Sequence, residues 1–260
     1  MHYGQTRIHL SSDASQLGRH AAAAVAAVMR QRLAEQDEIR VIFAGGESQT
    51  TFLEELCVEP DLDWQRVVCF NMDDFWDVRL PEEYSVGYFT ITKLYDKVHP
   101  KEVHLVRYDA PDPEAEVARY EALLRSAGSF DILCQGIGRS GHLAFNEPGQ
   151  VDFDDQRWVR VMDIVDISKQ QLLEDPSFMG LGYIPEKGIS MTIPALLSAA
   201  HRFTMVPYSS KRPIVSRVLA EPEPTTDLPA TILSRFDGTI FLDQDSCPED
   251  IEQLAGITQA

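Results

Sequence analysis

The sequence predicts one α/β domain over residues 1–260, with a doubly wound, mostly parallel sheet and helices on both faces, as in Rossmann-like folds. Two observations predict this class. Short apolar runs alternate with longer segments that have the pattern of helices, and several of the runs end in glycine or in polar residues. No stretch with the composition of a linker divides the chain. Hydrophobic residues make up 44% of the chain, which is enough for a sizeable core.

The first half of the chain supplies two strand–helix units after an opening helix. An alanine-rich helix is predicted from about Ala14 to Gln36, because residues that favour helix N-termini precede it. The next apolar run, IRVIFAGG, is predicted to be a buried strand that leaves through a glycine turn, with SQTTFLEEL as the start of a helix. The strand RVVCFNMDD and the helix VGYFTITKLYDKV then repeat the order.

The second half continues the alternation. PDPEAEVARYEALLRSAG is predicted to be a helix, with Pro113 near its start and Gly128 just past its end. FDILCQGIG is the next strand, and its exit again carries glycines. The remaining strand candidates are RWVRVMDIV, KGISMTI, HRFTMVP and GTIFLD; the later helices are SSKRPIVSRVLA and PATILSRF. AEPEPTTDLP, at 220–229, is predicted to be a surface loop.

Charge and cysteine usage narrow the classes of partner. A net charge of −18 argues against nucleic acid or an anionic membrane, because both require a basic face, but it allows a small anion in a locally positive pocket. No cysteine pair has C-x-x-C spacing, so reduced thiols and a cytoplasmic location are expected, without zinc or a disulfide framework. The N-terminus lacks the apolar region of a signal peptide, and HAAAAVAAVM is too short to span a bilayer.

Polar residues follow three of the predicted strands. They lie in AGGES at 44–48, NMDD at 71–74 and GIGRSGH at 136–142. Ligands of such sheets bind at the carboxyl ends of the strands. We therefore expect these three exits to meet at one edge of the sheet and to form a site there.

The first exit has the features of an anion-binding turn. Gly45 and Gly46 allow close approach of the backbone, and Ser48 adds a hydroxyl just before a helix. An ordinary strand–helix turn has the same composition, and the segment matches neither a P-loop nor the G-x-G-x-x-G pattern. Glu47 would have to point away from a bound phosphate, because two negative charges repel each other.

The other two exits carry groups suited to proton transfer. Asp73 and Asp74 at a strand end can act as general bases if they are desolvated, although a helix cap or a solvated loop is an alternative. His142 lies between glycines and an apolar run, and Glu147 is close enough in sequence to orient it for acid–base work. A buried structural histidine is the alternative. A metal site is only weakly supported by adjacent aspartates.

Two lysines are candidates for positive charge at the same edge of the sheet. Lys211 follows the strand HRFTMVP and precedes a helix, and Lys169 in DISKQQ is a weaker candidate. The alternative for both is a solvated side chain on a helix.

Taken together, these segments resemble the glucosamine-6-phosphate deaminase family, within the group that also contains the 6-phosphogluconolactonases. FNMDDF resembles the family signature F-N-M-D-E-Y, and GIGRSGHLAFNEPG resembles its loop G-[IV]-G-x-D-G-H-[IL]-A-F-N-E-P. AGGESQTTFLEEL resembles the family's phosphate turn, P-T-G-S-T-P, with the helix after it, and IPEKGISMTIPALLSA resembles a later strand and turn. The order and spacing cover nearly the whole chain.

The resemblance implies conversion of glucosamine 6-phosphate into fructose 6-phosphate and ammonia, without a cofactor or a metal. It assigns Asp73 to proton transfer between C1 and C2, His142 to ring opening and Glu147 to orientation of the histidine. The predicted substrate-binding residues are Gly45, Gly46, Ser48, Asp74, Gly138, Ser140 and Lys211. The partner is then a small sugar phosphate, and a homo-oligomer is possible.

The chain departs from the family pattern at several positions. Ser140 replaces an aspartate that helps to polarise the histidine, Glu47-Ser48-Gln49 replaces Ser-Thr-Pro, and Val159 stands where some members have an activator-binding lysine. A basic residue that many family members carry would align near Leu173. A lactonase and a non-catalytic sugar-phosphate sensor remain alternatives, although lactonases usually have G-H-x-A-S-L-F-P where this chain has GHLAFNEP.

Overall fold

The computed structural model describes residues 1–175 and 178–259. Within this part of the chain, nine strands form one sheet in the order β12-β1-β2-β11-β10-β7-β3-β4-β6. The strands are β1 His2–Tyr3, β2 Thr6–Ser11, β3 Ile39–Phe43, β4 Val67–Asn71, β6 Glu102–His104, β7 Ile132–Gln135, β10 His201–Val206, β11 Gly238–Asp243 and β12 Ile257–Thr258. All pairs from β2 to β6 are parallel, and the pairs of β1 with β2 and β12 are antiparallel.

Helices cover both faces of this sheet. They are α1 Ala14–Glu35, α2 Thr50–Val58, α3 Val86–Thr90, α4 Asp96–Val98, α5 Pro113–Ala127, α6 Asp166–Glu174, α7 Ile193–Leu197 and α8 Arg212–Ala220. A π-helical segment, Ile91–Tyr95, joins α3 and α4 into the single helix that the sequence predicts. The predicted caps of α1 and α5 are present, since Asp13 accepts a hydrogen bond from the Gln16 amide and Gly128 follows α5.

The two faces of β3 illustrate how the core divides. Val41 and Phe43 pack on the side that carries Val25 of α1, whereas Ile42 packs on the side that carries Tyr120 of α5. Successive side chains of a strand point to opposite faces, so a strand buried on both sides has to be apolar throughout. The continuous run IRVIF meets this requirement.

Three parts of the chain differ from the predicted architecture. RWVRVMDIV and KGISMTI do form strands, β8 Val159–Asp163 and β9 Lys187–Met191, but these pair antiparallel with β5 Asp73–Phe75 in a separate sheet. PATILSRF is a 3₁₀-helix, Pro229–Arg235. The strands β12, β1 and β2 at one end of the large sheet, and β6 at its other edge, were not predicted, because each is short or largely polar.

A helix that crosses a bilayer has to be both long and apolar. In the described part of the chain, no helix combines the length and the apolar character needed to cross a bilayer.

Candidate active site

A cavity of about 300 Å³ opens at the carboxyl ends of β10, β7, β3 and β4, four neighbours in the sheet. The chain runs from β3 to β4 on one side and from β7 to β10 on the other, so the cavity lies where the direction of winding reverses. Crevices at such switch points are where sheets of this kind bind ligands. All three polar strand exits that the sequence predicts to meet contribute residues to this cavity.

Two turns on the rim of the cavity have the same backbone course. After β3, Gly46 (φ 99°, ψ 165°) leads through the 3₁₀ turn Glu47–Gln49 into α2. After β10, Tyr208 (φ 80°, ψ 146°) leads through the 3₁₀ turn Ser209–Lys211 into α8. Residues of both turns line the cavity at the start of a helix, where backbone amides without intrahelical partners favour an anion. The positive φ is unstrained for glycine and costly for tyrosine.

Lys211 is the cation of the second turn. It is only 6% exposed, lines the cavity, and donates a hydrogen bond from Nζ to the Ile137 carbonyl at 2.7 Å. Burial, followed by the neighbouring charge of Arg139, lowers the pKa of Lys211 to about 8. Across β7, Ser48 lines the same cavity beside Gly136, where an added Cβ would lie 3.1 Å from the Ser48 hydroxyl.

The two aspartates after β4 have different surroundings. Asp74 is 1% exposed, and its carboxylate accepts hydrogen bonds from the amides of Phe75, Val86 and Gly87 at 2.7–2.9 Å. It therefore caps α3. Burial raises the pKa of Asp74, and these amide hydrogen bonds oppose the rise by stabilising the carboxylate.

Asp73 lines the cavity and is 8% exposed. Burial, followed by the nearby Asp74 charge, raises the pKa of Asp73 to about 8, and no hydrogen bond from the described residues offsets this rise. Of the pair, Asp74 is thus the carboxylate that backbone amides stabilise. Asp73 can bind or release a proton near neutral pH.

The loop after β7 holds His142 by a close approach to glycine. A Cβ added at Gly138 would lie 1.9 Å from His142 Nε2, so only glycine leaves room for the imidazole. Gly141 has φ 90°, and a Cβ there would lie 2.4 Å from Leu228. The Gly138 amide also donates to the His142 carbonyl at 3.0 Å, which closes the turn.

Three groups surround Nδ1 of His142. Ser140 Oγ lies at 2.8 Å, Glu147 Oε2 at 3.1 Å and Ser168 Oγ, from α6, at 3.2 Å. Ser140 also donates a hydrogen bond to Glu147 Oε2 at 2.6 Å, so its hydroxyl bridges the carboxylate and the ring. These contacts fix the imidazole and leave Nε2 as the ring nitrogen available to a ligand.

Glu147 is fully buried. Burial alone would raise its pKa, but the charge and hydrogen bond of His142, with the hydroxyls of Ser140 and Ser168, bring the pKa below its ordinary value. Asn146 anchors the same loop, because its side-chain amide donates to the carbonyls of Leu143 and Met191, both at 2.8 Å. The loop is therefore tied to β9 of the small sheet.

One wall of the cavity is apolar. Phe75 packs against Phe145 and Phe178 with ring centroids 5.2 and 5.3 Å apart, and Tyr84 lies 5.8 Å from Phe178. All four line the cavity. Such a wall excludes water from one side of a bound ligand and strengthens the electrostatic interactions on the other.

A family model described as glucosamine-6-phosphate isomerases/6-phosphogluconolactonase matches residues 12–242. The chain belongs to this family. A glucosamine-6-phosphate deaminase of Staphylococcus aureus is 28% identical over 238 residues, which cover 88% of this chain and 92% of that protein. A solved monomeric glucosamine-6-phosphate deaminase superposes with a TM-score of 0.79 at 25% identity, over 93% of this chain and 98% of that chain.

The fold is also shared with the second branch of the family. A 6-phosphogluconolactonase of Thermotoga maritima superposes with a TM-score of 0.72 at 21% identity, over 92% of this chain and 100% of that chain. These relatives include deaminases and lactonases. Membership of the family therefore establishes the fold, but it does not show which of the two reactions takes place.

Most of the predicted site residues of this family member line the cavity. They are Gly45, Gly46, Ser48, Asp73, Gly138, His142 and Lys211. Asp74, Ser140 and Glu147 lie behind its wall, where Asp74 caps a helix and the other two hold the histidine. Direct contact with substrate is therefore not the role that the geometry gives to Asp74 or Ser140. Lys169 pairs with Glu186 and does not line the cavity.

Among the residues that the sequence analysis did not single out, three have polar groups that bear on the proposed chemistry. Arg139 and Tyr208 both line the cavity, and Ser168 contacts His142 from α6. Arg139 directly precedes Ser140, and Tyr208 lies three residues before Lys211, so their position at a strand exit was the available signal. Ser168 precedes Lys169 in DISKQQ, but nothing in that segment indicated a contact with the loop that carries His142.

The described residues contain no group of three or more histidine, cysteine, aspartate or glutamate side chains placed to hold a metal ion.

Proposed function

We propose that the protein converts an aminosugar phosphate into a ketose phosphate and ammonia, with glucosamine 6-phosphate as substrate and fructose 6-phosphate as product. The observation that carries the proposal is the distribution of charge around one cavity. Asp73 and the buried Asp74 lie after β4, whereas Lys211 lies after β10. An aminosugar phosphate carries a cationic amine and an anionic phosphate, and this pair of charges matches the two ends.

The spacing of the strands supports this match. β4 and β10 are separated by β3 and β7, which places three inter-strand steps between them. At about 4.8 Å for each step, the strand ends lie roughly 14 Å apart. Side chains from the two ends point into one cavity, so an extended six-carbon phosphate can contact both. The phosphate then lies between Ser48 and Lys211, and C1 and C2 lie near Asp73.

Asp73 is the proposed proton carrier at C1 and C2. Before substrate binds, the raised pKa of Asp73 keeps much of the population protonated at neutral pH. A substrate ammonium group nearby favours the carboxylate, because an opposite charge lowers the pKa of an acid. The carboxylate then removes the C2 proton of the open-chain aldose while the aldehyde oxygen takes up a proton, and loss of one proton from the ammonium group leaves an enolamine. Return of the proton from Asp73 to C1 converts the enolamine into an iminium ion. The resulting iminium carbon at C2 adds water and loses ammonia, which leaves the ketose.

His142 is the proposed acid–base group for ring opening. Ring opening requires a proton on the ring oxygen and loss of the proton from the C1 hydroxyl, and Nε2 can exchange protons with both. Glu147 stabilises the imidazolium, and Ser140 relays a hydrogen bond between them at 2.6 and 2.8 Å. In this arrangement a hydroxyl supports the histidine at the position where the family pattern has an aspartate.

Ammonia release from a panel of aminosugar phosphates tests the proposal, with 6-phosphogluconolactone hydrolysis measured in parallel. We expect ammonia and fructose 6-phosphate in equal amounts from glucosamine 6-phosphate, and loss of both in Asp73→Asn. Lactone hydrolysis without ammonia release would assign the protein to the other branch of the family. Binding of hexose phosphates without turnover of any of them would make it a sensor.

A further inference from the structure

Arg139 has an environment that the proposed chemistry does not explain. It lines the cavity, yet its Nε is buried and has no hydrogen-bond partner among residues 1–175 and 178–259. Its guanidinium forms an ion pair with Glu174 at the end of α6. The Arg139 amide also donates to the Gln171 side chain at 3.0 Å, so α6 holds this residue at two points. A buried donor without an acceptor costs free energy unless a ligand supplies one.

The second observation is a pair of like charges. Lys211 lines the same cavity and hydrogen-bonds the Ile137 carbonyl, two residues before Arg139. After burial, the charge of Arg139 is the next cause of the lowered pKa of Lys211, and the charges of Glu47 and Asp175 oppose it in part. The chain carries a net charge of −18, so two adjacent cations on one cavity wall are not a consequence of overall composition. Their repulsion is relieved when an anion lies between them.

We propose that Arg139 and Lys211 together bind the phosphate group of the substrate, and that Glu174 occupies the Arg139 guanidinium until the phosphate replaces it. This assignment rests on the proposed function for the identity of the sugar, but the anion subsite itself does not depend on the reaction. Arg139 is thereby a binding residue in the loop that also carries His142.

The geometry of guanidinium groups supports this role. An arginine presents several N–H donors in one plane and can contact two phosphate oxygens at once, whereas Lys211 offers a single ammonium group. Glu174 is half exposed, with 50% of its side chain accessible, so it loses little when its partner turns to a ligand. Substrate binding thus exchanges a solvent-screened ion pair for a contact inside the cavity.

The subsite can be tested with inorganic phosphate and the full-length protein by isothermal titration calorimetry. We expect Arg139→Gln to weaken phosphate binding on the order of ten- to a hundredfold, which is the loss expected for one charge-assisted hydrogen bond. Glu174→Gln should strengthen it severalfold, because the competing carboxylate is gone. Arg235→Gln and Glu223→Gln break an exposed ion pair that does not line the cavity, and serve as matched controls with unchanged affinity.

Arg139→Lys tests whether the shape of the guanidinium group matters in addition to its charge. It keeps the cation but not the planar donor pair, so its affinity should fall between those of the wild type and Arg139→Gln. Wild-type affinity in both Arg139 variants would overturn the assignment, and so would weaker binding in Glu174→Gln. If Arg139→Gln loses phosphate binding and the wild type releases no ammonia, the proposed reaction is refuted and the phosphate subsite stands. Ammonia release with an unchanged KM in Arg139→Gln would do the reverse.

Discussion

Replacement of Ser140 by alanine removes the hydroxyl that links His142 to Glu147. In the wild type this hydroxyl donates to Glu147 Oε2 at 2.6 Å and lies 2.8 Å from His142 Nδ1. Glu147 Oε1 has no hydrogen-bond partner among the described residues, so the carboxylate depends on the contacts of its other oxygen. After the substitution, that oxygen keeps the contact with His142 at 3.1 Å.

The magnitude follows from those contacts. A hydrogen bond to a charged group contributes about 1.5–3 kcal/mol, and each 1.4 kcal/mol or so changes a rate tenfold. If the Ser140 hydroxyl supports the imidazolium in the transition state, kcat falls about ten- to a hundredfold in Ser140→Ala. The lost donor also raises the pKa of Glu147, because the wild-type hydrogen bond stabilises the carboxylate. The acidic limb of the pH–rate profile should therefore move to higher pH.

The assay is ammonia release as a function of pH, combined with thermal unfolding. Glu147 has a lowered pKa in the folded state, so its stabilisation is present above its unfolded pKa and is lost as the pH falls through the folded value. The stability difference between wild type and Ser140→Ala should therefore be largest near neutral pH and shrink in acid. Ser234→Ala is the control, since Ser234 is also buried and donates to a backbone carbonyl outside the cavity. An unchanged kcat and an unchanged pH profile in Ser140→Ala would refute this reasoning.

Three further substitutions test separate contacts. Gly138→Ala should lower kcat on the order of a hundredfold, because its Cβ displaces the His142 ring. Asp73→Asn should abolish ammonia release but stabilise the fold. Because the pKa of Asp73 is raised in the folded state, the wild type loses stability as the pH rises from 3.8 to about 8. The melting temperature of Asp73→Asn should therefore exceed that of the wild type by a margin that grows with pH across this window. A margin that does not change with pH would count against a raised pKa of Asp73. Tyr208→Gly should be more stable to urea than Tyr208→Ala by about 1–2 kcal/mol, because only glycine relieves the positive φ, and the reverse order would show that the turn is unstrained.

The central strands were predictable because burial on both faces leaves a continuous apolar run, as in IRVIF and FDILC. The positions of the site residues followed from the same strands, since parallel strands bring their carboxyl ends to one edge. The small sheet was not predictable in this way. β8 and β9 have the length and composition of parallel strands, and only their contacts with Asp73–Phe75 make the pairing antiparallel.

In the site, too, contacts within one loop could be predicted from the sequence, whereas contacts between distant segments could not. The string GHLAFNEPG was enough to place His142 and Glu147 in one loop, because the loop closes on itself through Gly138 and Asn146. The roles of Ser140 and Asp74 depend on partners that sequence spacing does not reveal. Asp74 caps a helix that begins twelve residues later, at Val86. Arg139 becomes notable only when Lys211, from a distant turn, lies beside it.

The most direct measurement is a crystal structure with the reduced, open-chain form of glucosamine 6-phosphate, which cannot react because it lacks the aldehyde. We expect C1 and the amine-bearing C2 to lie against the Asp73 carboxylate, with the phosphate between Ser48 and Lys211. A ligand bound outside this cavity, or one whose phosphate lies at Asp73, would contradict this expectation.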